Sequence, residues 1–186
     1  MWILSIFLGV WSIINPSNLP IEKPILATTA TRPITHLIIH ASATKAGHKV
    51  SAETILRWHS APPPQGRGWT IGGYHCLVSL NGQVEQLYPL DSITNGAMGI
   101  NDQAVHVCYI GGVDEHRHPQ DTRTKRQKKA LAKLVWAMID EFPDIIIGGH
   151  DDIRAWQGHR HKACPSFDTT AWLKTIGVDE KHFLIP

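Results

Sequence analysis

Three residues of this 186-residue chain stand where they could share a reaction: His40, His150 and Cys164. His40 and His150 each end an apolar, strand-like run and Cys164 lies in the polar loop after the second, the place where α/β folds present ligands and catalytic groups. Two imidazoles and a thiolate make a donor set for tetrahedral zinc with one position left open, the pattern of a catalytic rather than a closed structural site. Zinc held in this way turns water into a nucleophile near neutral pH and polarises a carbonyl. Taken singly, each residue has an ordinary alternative, a hydrogen-bonded histidine or a thiol in a loop, and spacing alone does not decide between them. Histidine is the one compositional excess, at 12 residues, and most of these must be bystanders.

The elements that must position the three follow from hydrophobic patterning. Residues 34–40 read as a buried strand, ended by the polar Ala-Ser-Ala-Thr that follows. Ser51 is suited to cap a helix reaching about residue 59, with Glu53 in its first turn where the helix dipole favours an acid. Residues 74–80 and 83–87 flank Asn81-Gly82, a pair expected to supply the positive φ angles of a tight hairpin turn. Residues 104–110 form a further apolar strand stopped by Gly111-Gly112. From about Thr124, apolar residues at Leu131, Leu134, Val135, Met138, Ile139 and Phe142 recur at helical spacing, predicting a long amphipathic helix to Pro143 with one face on a sheet. Residues 145–147 give another buried strand ending in Gly148-Gly149-His150, residues 151–161 read as polar loop, and Asp168 caps a last helix closing at Gly177. Strands and helices interleave without repeats, so the expected fold is α/β: a central mixed β-sheet flanked by helices. The length favours one domain, placed at 34–177. Before it, residues 1–33 comprise an apolar segment and a proline-rich linker; after it, 178–186 form a C-terminal tail.

Composition narrows the function classes. A hydrophobic share of 42% and a charged share of 18% exclude a disordered chain and a multi-span membrane protein. The formal charge of +2 points to no partner. Arg123, Lys125, Arg126, Lys128, Lys129 and Lys133 crowd the start of the long helix, but without aromatic interleaving they read as a solvated face, and no nucleic-acid partner is expected. The three cysteines are too few for a disulfide framework, and Cys76 and Cys108 lie in apolar runs as buried, inert thiols. Residues 2–14 are nearly all apolar. They fit a signal-peptide core or a tether, and so a candidate membrane contact, while falling short of the roughly 20 residues of a spanning helix. A buried N-terminal helix is the alternative.

Four blocks, in order, carry a family resemblance. Ile38-Ile39-His40-Ala41-Ser42-Ala43-Thr44 resembles the His-x-Ser-Ala-Thr strand end of the zinc-dependent N-acetylmuramoyl-L-alanine amidases, which include phage lysozymes of the amidase type and peptidoglycan recognition proteins. Gly73-Tyr74-His75 with the hairpin and Val84-Glu85 resembles the second block, and Val107-Cys108-Tyr109-Ile110-Gly111-Gly112 the third. Gly149-His150 with Lys162-Ala163-Cys164-Pro165-Ser166-Phe167-Asp168 resembles the fourth and most specific. The resemblance covers roughly residues 34–175. It implies that family's mixed-sheet fold, one zinc ion per chain held by His40, His150 and Cys164, and Tyr74 and Lys162 as the catalytic pair. The implied reaction is hydrolysis of the amide between N-acetylmuramic acid and L-alanine in peptidoglycan, the implied partner. Lys162 would then place an ammonium beside a developing oxyanion, and Tyr74 would orient water or shuttle a proton. Export or membrane tethering to the cell envelope is the expected localisation, with a phage endolysin made in the host cytoplasm as the alternative.

Two departures from the family pattern stand out. Asn95-Gly96-Ala97 occupies the loop where many members read His-Ala-Gly, so an amide is expected in place of an imidazole near the substrate. The stretch 151–161 is longer and more polar than in the phage lysozymes, and His159 and His161 within it are expected to be solvated rather than metal-bound. The main rival function is a wall-binding module of the same fold without catalysis, which would have no need of the Cys164 thiolate. A zinc peptidase is the other rival, and no His-Glu-x-x-His helix is present to support it.

Overall fold

A computed structural model describes residues 30–185 apart from 160 and 162. The sheet has five strands in the order β4-β3-β5-β1-β7. These are β1 (His36–Ala41), β3 (Cys76–Val78), β4 (Val84–Gln86), β5 (Ala104–Tyr109) and β7 (Ile146–Gly149). Neighbours run parallel except the β3–β4 hairpin, so the sheet is mixed, as expected. Two short strands, β2 (Thr44–Lys45) and β6 (Gly112–Val113), pair separately.

Alternation sorts the central strands into two faces. Leu37, Ile39 and Ala41 of β1 and Val105, Val107 and Tyr109 of β5 enter one core. Over that core lies α2 (Lys125–Glu141), whose Leu131, Leu134, Val135 and Met138 form the buried stripe read from the sequence. Thr124 caps α2 in a reciprocal capping box with Gln127. The Gln127 amide also donates to the carbonyls of Val78 and Ile110, tying the helix start to the ends of β3 and β5. The basic first turn that the helix dipole disfavours is partly offset by Asp121, which pairs with Arg123 at 2.8 Å and Lys128 at 3.1 Å. Helix α4 (Thr169–Thr175), capped by Asp168, completes this layer with Trp172 and Leu173.

The opposite face carries two separate apolar patches. One joins Ala52 and Ile55 of α1 (Ala52–Ser60), capped by Ser51, to Leu77, Cys108 and Ile110. The other joins Ile38 and Ala104 to Ala97, Ile100 and Ile153, the last from α3 (His150–Trp156). His40 and His106 point to this face, on neighbouring strands: His40 is paired with Cys108, and His106 with Ile38.

Four local expectations are corrected. The hairpin forms, but Gly82 alone of the Asn81-Gly82 pair has a positive φ, at 83°. Ser79 N–H bonds Gln83 O across a three-residue loop, the longer alternative to a two-residue turn. Half of the stretch 151–161 is helical, because His150 opens α3 with Asp151 and Asp152 in its positive first turn and Asp152 accepts from Gly149 N–H at 2.6 Å. The segment after Gly177 is not a trailing tail: Val178, Phe183 and Leu184 are buried, and Leu184 N–H bonds Ile147 O beside the edge strand β7. The folded unit also starts before Ile34, since the Arg32 guanidinium donates to the carbonyls of Leu90, Asp102 and Ala104 at 2.7–2.9 Å.

Candidate active site and metal centre

Three elements deliver the candidate ligands. His40 is the fifth residue of β1 and is buried; His150 opens α3 directly after β7; Cys164 comes from the following loop. Strand β1 lies between β5 and β7, so both histidines emerge at the carboxyl ends of adjacent parallel strands. The Cys164 loop is held against them: Asp151 N–H donates to Cys164 O at 2.7 Å, Ala41 N–H reaches the Cys164 sulfur at 3.4 Å, and the buried Tyr109 hydroxyl donates to Pro165 O at 2.7 Å. One nitrogen of each histidine and the Cys164 sulfur all lie within 4.8 Å of one another. The His40 and His150 rings sit edge to face, 4.8 Å apart, and His40 Nδ1 is 3.9 Å from the sulfur. Residues 124 positions apart in the chain are thus brought together around a volume suited to one cation.

Tyr74 joins them, its ring 5.1 Å from that of His40. Burial pushes its phenol well above the ordinary range, and the nearby Cys108 and Cys164 sulfurs push further in the same direction, so the hydroxyl keeps its proton and is a donor. His59 of α1 lies edge-on to Tyr74, 5.1 Å away, and accepts the Gly73 N–H at 3.2 Å, which fixes the backbone that carries the phenol. Lys162 lies outside the described residues. Of the neighbouring histidines, His161 is exposed and bonds Asp151 at 2.7 Å.

The site rests on a buried polar layer that hydrophobic patterning did not reveal. His106 lies beneath His40, with His106 Nδ1 3.1 Å from His40 Nε2, and stacks on His75. His75 accepts the His106 backbone N–H on Nδ1 at 3.0 Å and donates from Nε2 to Ser92 O at 2.9 Å. Burial lowers the His75 value to about 4, against a hydrogen bond to Ser92 that raises it, with the Arg32 charge lowering it further. His106 is lowered well below the ordinary range, chiefly by burial and then by the neighbouring His75, His150 and Arg32. The available signal for His106 was one imidazole in the otherwise apolar strand Ala-Val-His-Val-Cys-Tyr. The Asn95 amide, expected near the substrate, donates to Ile71 O at 2.7 Å.

A mixed-sheet domain with a His, His, Cys cluster at its strand ends, beside a protonated phenol, defines a class: a candidate mononuclear metal hydrolase. Comparison with known proteins takes the assignment further. Residues 30–167 match the family model described as N-acetylmuramoyl-L-alanine amidase, and the chain belongs to that family. It is similar to the endolysin of Enterobacteria phage K11, 32% identical over 147 residues, which are 79% of this chain and 90% of the relative. It is also similar to the endolysin of Escherichia phage T7, 28% identical over 136 residues, covering 73% of this chain and 83% of that one. Among solved structures, the amidase LysC from Clostridium intestinale superposes with a TM-score of 0.62 at 19% identity, covering 82% of this chain and 93% of its own. Bumblebee PGRP-SA gives 0.62 at 20% identity, with coverages of 83% and 86%. The protein is a peptidoglycan amidase, and the mixed-sheet fold is that of amidases and peptidoglycan recognition proteins.

Proposed function

We propose that this amidase depends on one zinc ion held by His40, His150 and Cys164, and that Tyr74 and Lys162 act on the transition state. The observation that carries the reading is the convergence of three donor atoms within 4.8 Å from three separate elements. Two imidazoles and a thiolate fit zinc by donor type and number, leaving a position open. When bound there, zinc supplies Lewis acidity and lowers the pKa of water towards neutrality. His40, His150 and Cys164 would hold the ion with their donor atoms converging on one point. Tyr74, protonated at neutral pH, offers its O–H as a hydrogen-bond donor at the reacting centre. Lys162, two residues before Cys164 in the chain, matches the family's catalytic cation and would stabilise the oxyanion.

Several structurally similar proteins support a muramyl-peptide ligand, since the PGRP-LCa and PGRP-LCx ectodomains and a PGRP-LB variant were solved with tracheal cytotoxin. The endolysin relatives support a role in wall lysis, reached by secretion or by production in a host cytoplasm. Among the described residues no helix is long and apolar enough to cross a membrane, and the apolar run 2–14 lies outside them. We assign that run, with the proline-rich segment after it, to delivery rather than to chemistry.

Elemental analysis of the purified full chain tests the metal centre. One zinc per chain is expected, with loss of most of it in Cys164→Ala at unchanged secondary structure. Full zinc occupancy in Cys164→Ala would remove that residue from the site.

A further inference from the structure

Resting on the metal-site reading above, we propose that His106 is a positioning residue: anchored by Asn101 and given room by Gly96, it fixes which nitrogen His40 presents to the metal. One chain of hydrogen bonds connects Ala97, Asn101, His106 and His40. The backbone N–H of Ala97, which can only donate, lies 2.8 Å from Asn101 Oδ1, so that amide atom is the oxygen. His106 Nε2 is 3.1 Å from the same oxygen and therefore carries the proton it donates there. His106 Nδ1 is then the acceptor for His40 Nε2, 3.1 Å away, so the proton of His40 resides on Nε2. This leaves the lone pair of His40 on Nδ1, the nitrogen that faces the Cys164 sulfur at 3.9 Å.

The placement of His106 is specific to this chain's sequence in two respects. A Cβ at position 96 would stand 2.3 Å from the His106 ring, so the ring occupies space that only glycine leaves open. The loop Asn95-Gly96-Ala97 offers no imidazole of its own, and the imidazole beneath the site comes from β5 instead. His106 is fully buried, and an imidazole in such a place is costly unless both nitrogens are satisfied. Its two ring partners are Asn101 and His40, so its polar capacity is spent on orienting a ligand. Outer partners of this type set ring orientation and tautomer in metal sites and typically change metal affinity by about 10- to 100-fold when removed.

The test uses the full chain with 15N-labelled histidine. Long-range nitrogen–proton correlations, recorded as purified and after chelation, should show His40 protonated on Nε2 in both states. Zinc affinity, measured by competition with a chromogenic chelator, should fall about 10- to 100-fold in His106→Leu. His106→Asn, which restores an acceptor near the Nδ1 position, should recover most of it. Gly96→Ala should lower affinity and disturb the His40 tautomer without touching a ligand. A purely structural role predicts equal losses in the Leu and Asn variants with the His40 tautomer unchanged, and that result overturns the proposal, as does His40 protonated on Nδ1 in the parent chain. If the parent chain shows the Nε2–H tautomer but binds no zinc, the metal-site reading fails and the hydrogen-bond chain stands.

Discussion

Arg32 gives the sharpest test of where the folded unit begins. Its guanidinium donates to Leu90 O at 2.7 Å, Asp102 O at 2.9 Å and Ala104 O at 2.9 Å, joining the segment before β1 to the start of β5 and the loop leading to it. A hydrogen bond from a charged donor contributes about 1.5 to 3 kcal/mol to stability, but this side chain is only partly buried, so water can replace some of what is lost. Replacing Arg32 with alanine should therefore cost roughly 2 to 4 kcal/mol, a large share of the 5 to 15 kcal/mol typical of a domain. For a chain of this size that lowers the melting temperature by roughly 5 to 15 °C. Arg32→Lys should recover only a minor part, because a single ammonium cannot span three carbonyls in a planar fork. Thermal melts of the two variants beside the parent provide the assay. An Arg32→Ala protein that melts within a degree or two of the parent would refute the claim that residues before Ile34 belong to the folded unit.

Further expectations follow from the same geometry. A chain beginning at Thr31 keeps Arg32 and should melt and cleave purified wall like the full chain, whereas one beginning at Ile34 should melt like Arg32→Ala; aggregation of the Thr31 chain would show that 2–14 is structural. Tyr74→Phe and Lys162→Ala should each hold zinc yet lose on the order of a hundredfold or more in turnover, and near-normal turnover in either removes the role assigned to that residue. His75, lowered by burial to about 4 from the ordinary histidine value near 6.5, resists protonation in the folded state. Its contribution is therefore fully present above pH 6.5 and lost as pH falls towards 4, about 3 kcal/mol in all, so denaturant midpoints should decline over that window and less steeply in His75→Gln.

The sequence made some of this legible for physical reasons. His40 and His150 were readable as strand ends because each follows an apolar run, and a strand end is where a polar side chain reaches solvent or ligand; Cys164, in a polar loop, stood out only through the family motif around it. Helix α2 was readable because Leu131, Leu134, Val135 and Met138 hold one stripe along a 17-residue helix. Helix α3 escaped because it is 7 residues long and buries only Ile153, so it has no stripe to detect. The C-terminal segment was mistaken for a tail because its docking depends on a few side chains, Val178, Phe183 and Leu184, too few for a periodicity. Arg32 gave no local signal because its partners lie about 60 to 70 positions away, and the lone imidazole of His106 in an apolar strand marked the residue without revealing its partner His40, 66 positions away.

The most direct test of the central claim is digestion of purified peptidoglycan by the zinc-loaded full chain, followed by mass spectrometry of the fragments. Glycan strands with intact lactyl-muramic acid, together with stem peptides whose new amino terminus is L-alanine, are the expected products, and Cys164→Ala should release neither. Fragments with new reducing sugar ends, stem peptides cut internally, or full activity in Cys164→Ala would contradict a zinc amidase built on His40, His150 and Cys164.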